Sequence, residues 1–107
     1  MINSIQINSM YNTISDSNWQ TVALVEGWAH YREWLMKVNY FNPYFTLSNE
    51  FPYNYGIMFR ELISSGCSYS SIEKALKAFT IEEFKNNLID KYPLRKAQIS
   101  GIIRPYE

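Results

Sequence analysis

The chain has 107 residues, of which 47% are hydrophobic and 17% aromatic, and its ten basic residues balance its ten acidic residues. This length suits one small domain with ample apolar material for a core, while the balanced charge excludes a strong field that would recruit nucleic acid or acidic lipid. The single cysteine excludes a disulfide within the chain, and no stretch is apolar over the length of a membrane span.

Residues 1–14 are rich in asparagine and serine, with isolated isoleucines. Ile5 and Ile7 alternate with polar residues over too short a distance to specify a strand. We therefore predict a flexible N-terminal segment over residues 1–14 and a single helical domain over residues 15–107. The segment has neither the basic start nor the continuous apolar stretch of a secretory signal.

The first predicted helix runs from about Asn18 to Asn39 and has two distinct sides. Successive residues turn by about 100° around a helix, so an apolar stripe forms along one side. That stripe consists of Leu24, Trp28, Tyr31, Leu35 and Val38. The opposite side carries Glu26, His30, Glu33 and Lys37. We expect the stripe to face the core and the helix to end before the Asn42-Pro43 pair.

The polar side of this helix has two interpretations. In the first it is a solvated surface, on which Glu33 and Lys37 are ordered for an ion pair four residues apart. Glu26 and His30 are spaced for a similar local contact. In the second interpretation these ionisable groups belong to a functional site.

The second interpretation gains weight from a family resemblance. The residues Val25-Glu26-Gly27-Trp28-Ala29-His30-Tyr31-Arg32-Glu33 resemble the E-G-F-A-x-Y-x-E helix of gluzincin zinc aminopeptidases, with Trp28 where phenylalanine is usual. The resemblance implies that Glu26 is a metal-binding carboxylate and that Gly27 lets the helix approach the metal. Trp28, Ala29 and Tyr31 would be packing positions. His30 stands where another branch of the clan has an aspartate that orients a zinc-bound histidine.

The chain departs from this family in its other ligands. Hydrolytic zinc of this type needs two histidines, normally from H-E-x-x-H, and one glutamate, with a fourth position open for water. No H-E-x-x-H is present, and His30 and Cys67 are the only histidine and cysteine. We therefore expect no catalytic residue and no cofactor in this chain alone, and zinc only if another segment supplies the missing ligands. The resemblance then implies the C-terminal part of a metallopeptidase catalytic domain, or a relative that has lost its metal.

An aromatic connection follows the first helix. Its rings are Tyr40, Phe41, Tyr44, Phe45, Phe51, Tyr53 and Tyr55, and all of them except Phe51 are candidates for an interaction surface. Such rings give contact area at low entropic cost, which favours either a lid that borders a substrate cleft or a recognition surface for a protein partner. Alternatively, they close the end of a small helical core. A recognition surface requires a contiguous exposed patch, whereas burial of most of the rings favours the second alternative.

Three further helices are predicted after this connection. The first runs from Tyr55 to Ser65, and Gly66 is expected as the C′ glycine that ends it. Cys67 is expected to be buried as a small hydrophobic residue. Two S/T-x-x-E patterns then predict N-termini. Ser70 to Glu73 opens a helix that ends at about Ala78, and Thr80 to Glu83 opens another that ends at about Lys91. For residues 94–107 the sequence does not distinguish between a short helix, a strand and a contact with a missing segment.

The sequence as a whole predicts an all-α small single domain of four main helices. Two functions follow. The first is a fragment or metal-free relative of a gluzincin-like catalytic domain, inactive alone and completed by a missing N-terminal segment or a partner. The alternative is a small helical interaction module, such as a phage or mobile-element inhibitor or an adaptor, that binds a protein through residues 40–55. Nucleic-acid binding by the last two helices is not expected, because Glu82 and Glu83 would repel phosphates. The sequence leaves the cellular compartment undetermined.

Overall fold

A computed structural model describes residues 16–107 of the chain, with side chains from Trp19 onward. Within this range the protein is helical and has no strand, which confirms the predicted all-α class. Its α-helices are α1 (Asp16–Tyr40), α2 (Tyr55–Ser64), α3 (Tyr69–Ala75), α4 (Ile81–Lys91) and α5 (Lys96–Ile103). Short 3₁₀ turns, Pro93–Arg95 and Arg104–Tyr106, flank α5. The flexible segment predicted over residues 1–14 lies outside the described residues.

The long helix α1 follows the predicted pattern, and its observed ends differ from the expected ones by one or two residues. Leu24, Trp28 and Tyr31 are buried, whereas Leu35 lies partly exposed against the core. On the polar side, Lys37 Nζ lies 2.8 Å from a Glu33 carboxylate oxygen, so the expected ion pair forms. The apolar stripe thus fixes which side of α1 faces the core.

Helices α1 and α2 cross at a pair of glycines. A Cβ on Gly27 would overlap the Cβ of Tyr55 and lie 3.3 Å from the carbonyl oxygen of Pro52. A Cβ on Gly56 would lie 3.4 Å from the carbonyl oxygen of Gly27. The two backbones therefore approach closely because neither residue has a side chain. This crossing fixes the position of the polar side of α1 relative to the aromatic connection.

The end of α2 agrees with its predicted cap. Gly66 has a φ of 112°, a conformation that favours glycine. Its N–H donates to the carbonyl of Ile63, and the Cys67 N–H donates to the carbonyl of Leu62, as in a Schellman motif. Cys67 is buried, as predicted.

The start of α3 corrects the prediction. Ser68, not Ser70, is the N-cap, and its side chain accepts from the Ser71 N–H at 3.1 Å. The Tyr92 hydroxyl fixes Ser68 from outside the helix, because it accepts from the Ser68 N–H at 2.9 Å. The helix also ends at Ala75 rather than near Ala78.

Helices α4 and α5 close the core. Thr80 caps α4 as predicted, accepting from the Glu83 N–H at 3.1 Å. The tail that the sequence left open forms α5, which buries Ile99 and Ile103. The largest fully buried side chains come from all five helices: Leu24, Met58, Phe59, Leu62, Ile72, Phe84, Leu88, Ile99 and Ile103. No helix among the described residues is long and apolar enough to cross a membrane.

Candidate functional site

The polar side of α1 borders a small recess on the side of the aromatic connection. The recess has a volume of about 100 Å³ and is lined by Glu26, Ala29, His30, Glu33 and Tyr53. Glu26 and His30 are both partly exposed. The helical spacing predicted from the sequence therefore brings the candidate metal ligand and its neighbouring imidazole to one cavity.

His30 holds the connection against α1. Its Nε2 accepts a hydrogen bond from the Ser48 N–H at 3.2 Å, and its ring centroid lies 5.1 Å from that of Tyr53. Burial lowers the pKa of His30. The negative charge of Glu33 opposes this shift, and the positive charge of Lys37 adds to it. Because an accepting nitrogen carries no proton, this contact requires the neutral imidazole. Ser48 occupies one of the two nitrogens with which His30 could orient another group.

The described residues do not by themselves fit zinc. They contain no group of three or more His, Cys, Asp or Glu side chains that could hold a metal ion. Glu26 offers one carboxylate, and the accepting nitrogen of His30 is already bonded. Cys67 is buried beside Ser65, and burial raises the pKa of its thiol. A zinc site that includes Glu26 therefore needs ligands from elsewhere.

Packing accounts for several residues of the E-G-W-A-x-Y-x-E pattern. Gly27 lies at the crossing with α2, so its small size is required there without a metal. Trp28 stacks on Tyr31, with ring centroids 5.4 Å apart, and both rings are buried. Ala29 is exposed instead of packed in the core. The fold therefore explains neither the alanine at position 29, which was expected to be a packing position, nor the carboxylate of Glu26.

The aromatic connection divides into an exposed part and a buried part. Tyr40, Phe41 and Tyr44 have 78%, 77% and 87% of their surface exposed. Phe45 and Tyr53 are partly exposed. Tyr55 is only 3% exposed, so it does not belong to the predicted interaction surface.

Specific contacts explain this division. The Tyr55 hydroxyl donates to the carbonyl of Tyr106 at 3.4 Å, and the ring lies edge-on to that of Tyr106. The Trp34 Nε1 donates to the carbonyl of Phe45 at 2.8 Å, and Lys37 Nζ lies 4.4 Å from the Phe45 ring centroid. Tyr55 at the end of the connection thus packs in the core, Phe45 packs against α1, and Tyr40, Phe41 and Tyr44 at its start are exposed.

A shallow groove that the sequence analysis did not predict lies along α1. It has a volume of about 490 Å³ and is lined mainly by α1, with Tyr69 from α3 on its other side. Its α1 residues are Ala29, Arg32, Glu33, Leu35, Met36, Asn39 and Tyr40. The sequence signal that could have revealed this groove was a second set of apolar residues with helical spacing, which includes Met36 and Tyr40. The stronger stripe that faces the core obscured this pattern.

Comparisons of the chain with protein-family models, with curated proteins and with solved structures found no match. The functional assignment therefore depends on the residues and their geometry.

Proposed function

We propose that this chain carries the carboxylate-bearing helix of a gluzincin-type zinc site, with Glu26 as the metal-binding residue. The chain is not catalytic alone. The two histidine ligands and the general base come from an H-E-x-x-H motif in another segment of the same protein or in a partner chain.

The surroundings of Glu26 support this proposal. The residue borders a recess with His30 and Glu33 and is neither fully exposed nor buried in the core. The helix behind it is held by the Gly27 crossing and by the buried Trp28 ring. A ligand on a rigid helix keeps its position while other segments approach. The zinc, once bound, would activate a water molecule for peptide hydrolysis.

The first test is the coding DNA in frame before Met1, where the proposal expects an H-E-x-x-H motif. The second is elemental analysis of the protein that includes this motif. The wild type should bind stoichiometric zinc, and Glu26→Gln should lose most of it because one of three protein ligands is gone. Glu61→Gln, at an exposed glutamate of α2, is the matched control and should retain zinc.

Zinc retained by Glu26→Gln would contradict the proposal. An upstream region without the motif, together with a purified chain that binds no zinc in the presence of its natural partners, would leave a relative that has lost its metal.

A second function is favoured by the exposure of the three rings Tyr40, Phe41 and Tyr44, which we call the aromatic surface. We propose as the alternative that this surface binds a protein partner, as in an inhibitor or adaptor. Tyrosine is enriched at binding hot spots, and tyrosine and phenylalanine both bury a large area for few immobilised bonds.

The alternative is tested by comparing the proteins retained by the immobilised wild type with those retained by Phe41→Ser and Tyr44→Ser. A genuine partner should be lost from both variants. Leu94→Ser removes a side chain that is 100% exposed elsewhere on the molecule, and it should retain the partner. A set of retained proteins that is identical for all four would refute this function.

A further inference from the structure

Two side chains of α1 hold the middle of the aromatic connection. The indole nitrogen of Trp34 donates to the carbonyl of Phe45 at 2.8 Å. Three residues further along the chain, the N–H of Ser48 donates to Nε2 of His30 at 3.2 Å. Leu47, between these two points, is only 8% exposed. The segment is therefore fixed to α1 although it belongs to no helix or strand.

The two contacts respond differently to acid. The indole N–H of Trp34 does not titrate, so its bond to Phe45 is independent of pH. His30 accepts through Nε2, so its neutral imidazole carries its one proton on Nδ1. A protonated His30 has an N–H on both nitrogens, and Nε2–H then faces the Ser48 N–H as a second donor. Acid therefore breaks one contact and leaves the other.

The charged groups of α1 do not replace the lost contact. Glu33 favours the protonated ring of His30 and Lys37 disfavours it, and these two residues form an ion pair with each other. Glu26, one turn earlier, forms no ion pair with His30, nor does any other carboxylate among the described residues. Protonation of His30 therefore leaves a charge without a bonded partner at this position.

The remaining neighbours of His30 are uncharged. The connection contributes the Tyr53 ring, whose centroid lies 5.1 Å from that of His30, while its one charged residue, Glu50, is exposed. On the α2 side, a Cβ on Gly56 would lie 3.5 Å from His30 Cδ2 and 3.3 Å from Leu47 Cδ2. His30 and Leu47 thus pack against the same point of α2, so a change at the ring reaches the segment that it holds.

We propose that the contact between His30 and Ser48 is a pH-sensitive latch that releases residues 46–51 from α1 in mildly acidic solution. The bond between Trp34 and Phe45 persists, so the segment is released on one side only. Release exposes Leu47, while the five helices remain folded. The inference does not depend on the proposed zinc site.

The latch is tested by NMR on the wild-type chain. At neutral pH the ¹⁵N shifts of the His30 ring should show a protonated Nδ1 and an unprotonated Nε2. As the pH falls below about 6.5, the backbone resonances of residues 46–51 should move towards disordered values, with the same midpoint as the His30 ring. The Leu62 amide of α2 and the indole N–H of Trp34 should keep their native shifts.

His30→Gln is the matched variant, because glutamine keeps an acceptor but does not titrate in this range. Its residues 46–51 should keep their native shifts over the same pH range. Glu50 is present in both proteins, so any effect of its own titration is common to them. The wild-type measurements decide the matter by themselves if the variant does not fold.

Four results would each overturn the proposal. The first is a neutral His30 that carries its proton on Nε2. The second is a His30 ring that titrates while residues 46–51 keep their native shifts. The third is the same movement of residues 46–51 in His30→Gln. The fourth is a simultaneous loss of the native Leu62 resonance, since the whole domain would then unfold instead of one segment.

Discussion

Gly27 and Gly101 are both helical glycines, and they differ in what surrounds them. A Cβ on Gly27 would overlap Tyr55, whereas a Cβ on Gly101 would have nothing within 4 Å. Gly27→Ala should therefore lower the free energy of unfolding by about 1–3 kcal/mol, because overpacking outweighs the gain in helix propensity. Gly101→Ala should raise it by about 0.5–1 kcal/mol. Urea titration followed by circular dichroism measures both changes, and equal effects would contradict the proposed crossing.

His30 gives the stability of the protein a predictable pH dependence. Burial lowers its pKa in the folded state, so the unfolded chain binds a proton more readily. The contribution of neutral His30 is fully present above its ordinary pKa of about 6.5. It is lost progressively as the pH falls from there towards the lowered folded pKa. Protonation would also break the hydrogen bond from the Ser48 N–H.

The variant His30→Gln separates these effects, because glutamine keeps an acceptor within reach of Ser48 but does not titrate in this range. Urea midpoints measured between neutral and mildly acidic pH should fall less for His30→Gln than for the wild type. Identical pH profiles would mean that His30 titrates alike in the folded and unfolded chains.

Among the helices, the sequence predicted best those whose signals are local. The apolar stripe of α1 and the Thr80 cap of α4 both act within a few residues, and both helices form where they were expected. The start of α3 was missed, since Ser68 is the N-cap instead of Ser70, and its N–H donates to the Tyr92 hydroxyl, 24 residues further along the chain. No local pattern encodes that contact.

The cap of α4 is testable at the level of this helix. Thr80→Ala removes the oxygen that accepts from the Glu83 N–H and leaves a first-turn donor without its partner. The free energy of unfolding should fall by about 1 kcal/mol. Thr46→Ala, at an exposed threonine in the connection, should change it by less than about 0.5 kcal/mol. Equal losses in the two variants would show that Thr80 stabilises α4 by no more than an ordinary exposed threonine does.

Across the whole molecule, the convergence of Glu26 and His30 could be predicted because both lie on one helix. The path of the aromatic connection between α1 and α2 could not be predicted from the sequence. Tyr44 and Tyr55 have the same side chain and belong to one aromatic segment, but Tyr55 is buried against Gly27 of α1 and against Tyr106, 51 residues away. The acceptor role of His30 likewise depends on where the connection brings Ser48. Long-range packing therefore determines which aromatic rings are exposed and which are buried.

Phe59 joins three helices in that core. Its ring centroid lies 5.2 Å from Trp28 of α1 and 5.6 Å from Phe84 of α4, edge-on in both cases, and the side chain is fully buried. Phe59→Ala should lower the free energy of unfolding by about 3–5 kcal/mol, a large share of the roughly 5–15 kcal/mol typical of domains. Phe79→Ala removes the same ring from a position that is 66% exposed, and should change stability by less than about 0.5 kcal/mol. Thermal and urea unfolding measure the difference, and a small loss for Phe59→Ala would mean that α1, α2 and α4 do not depend on one shared core.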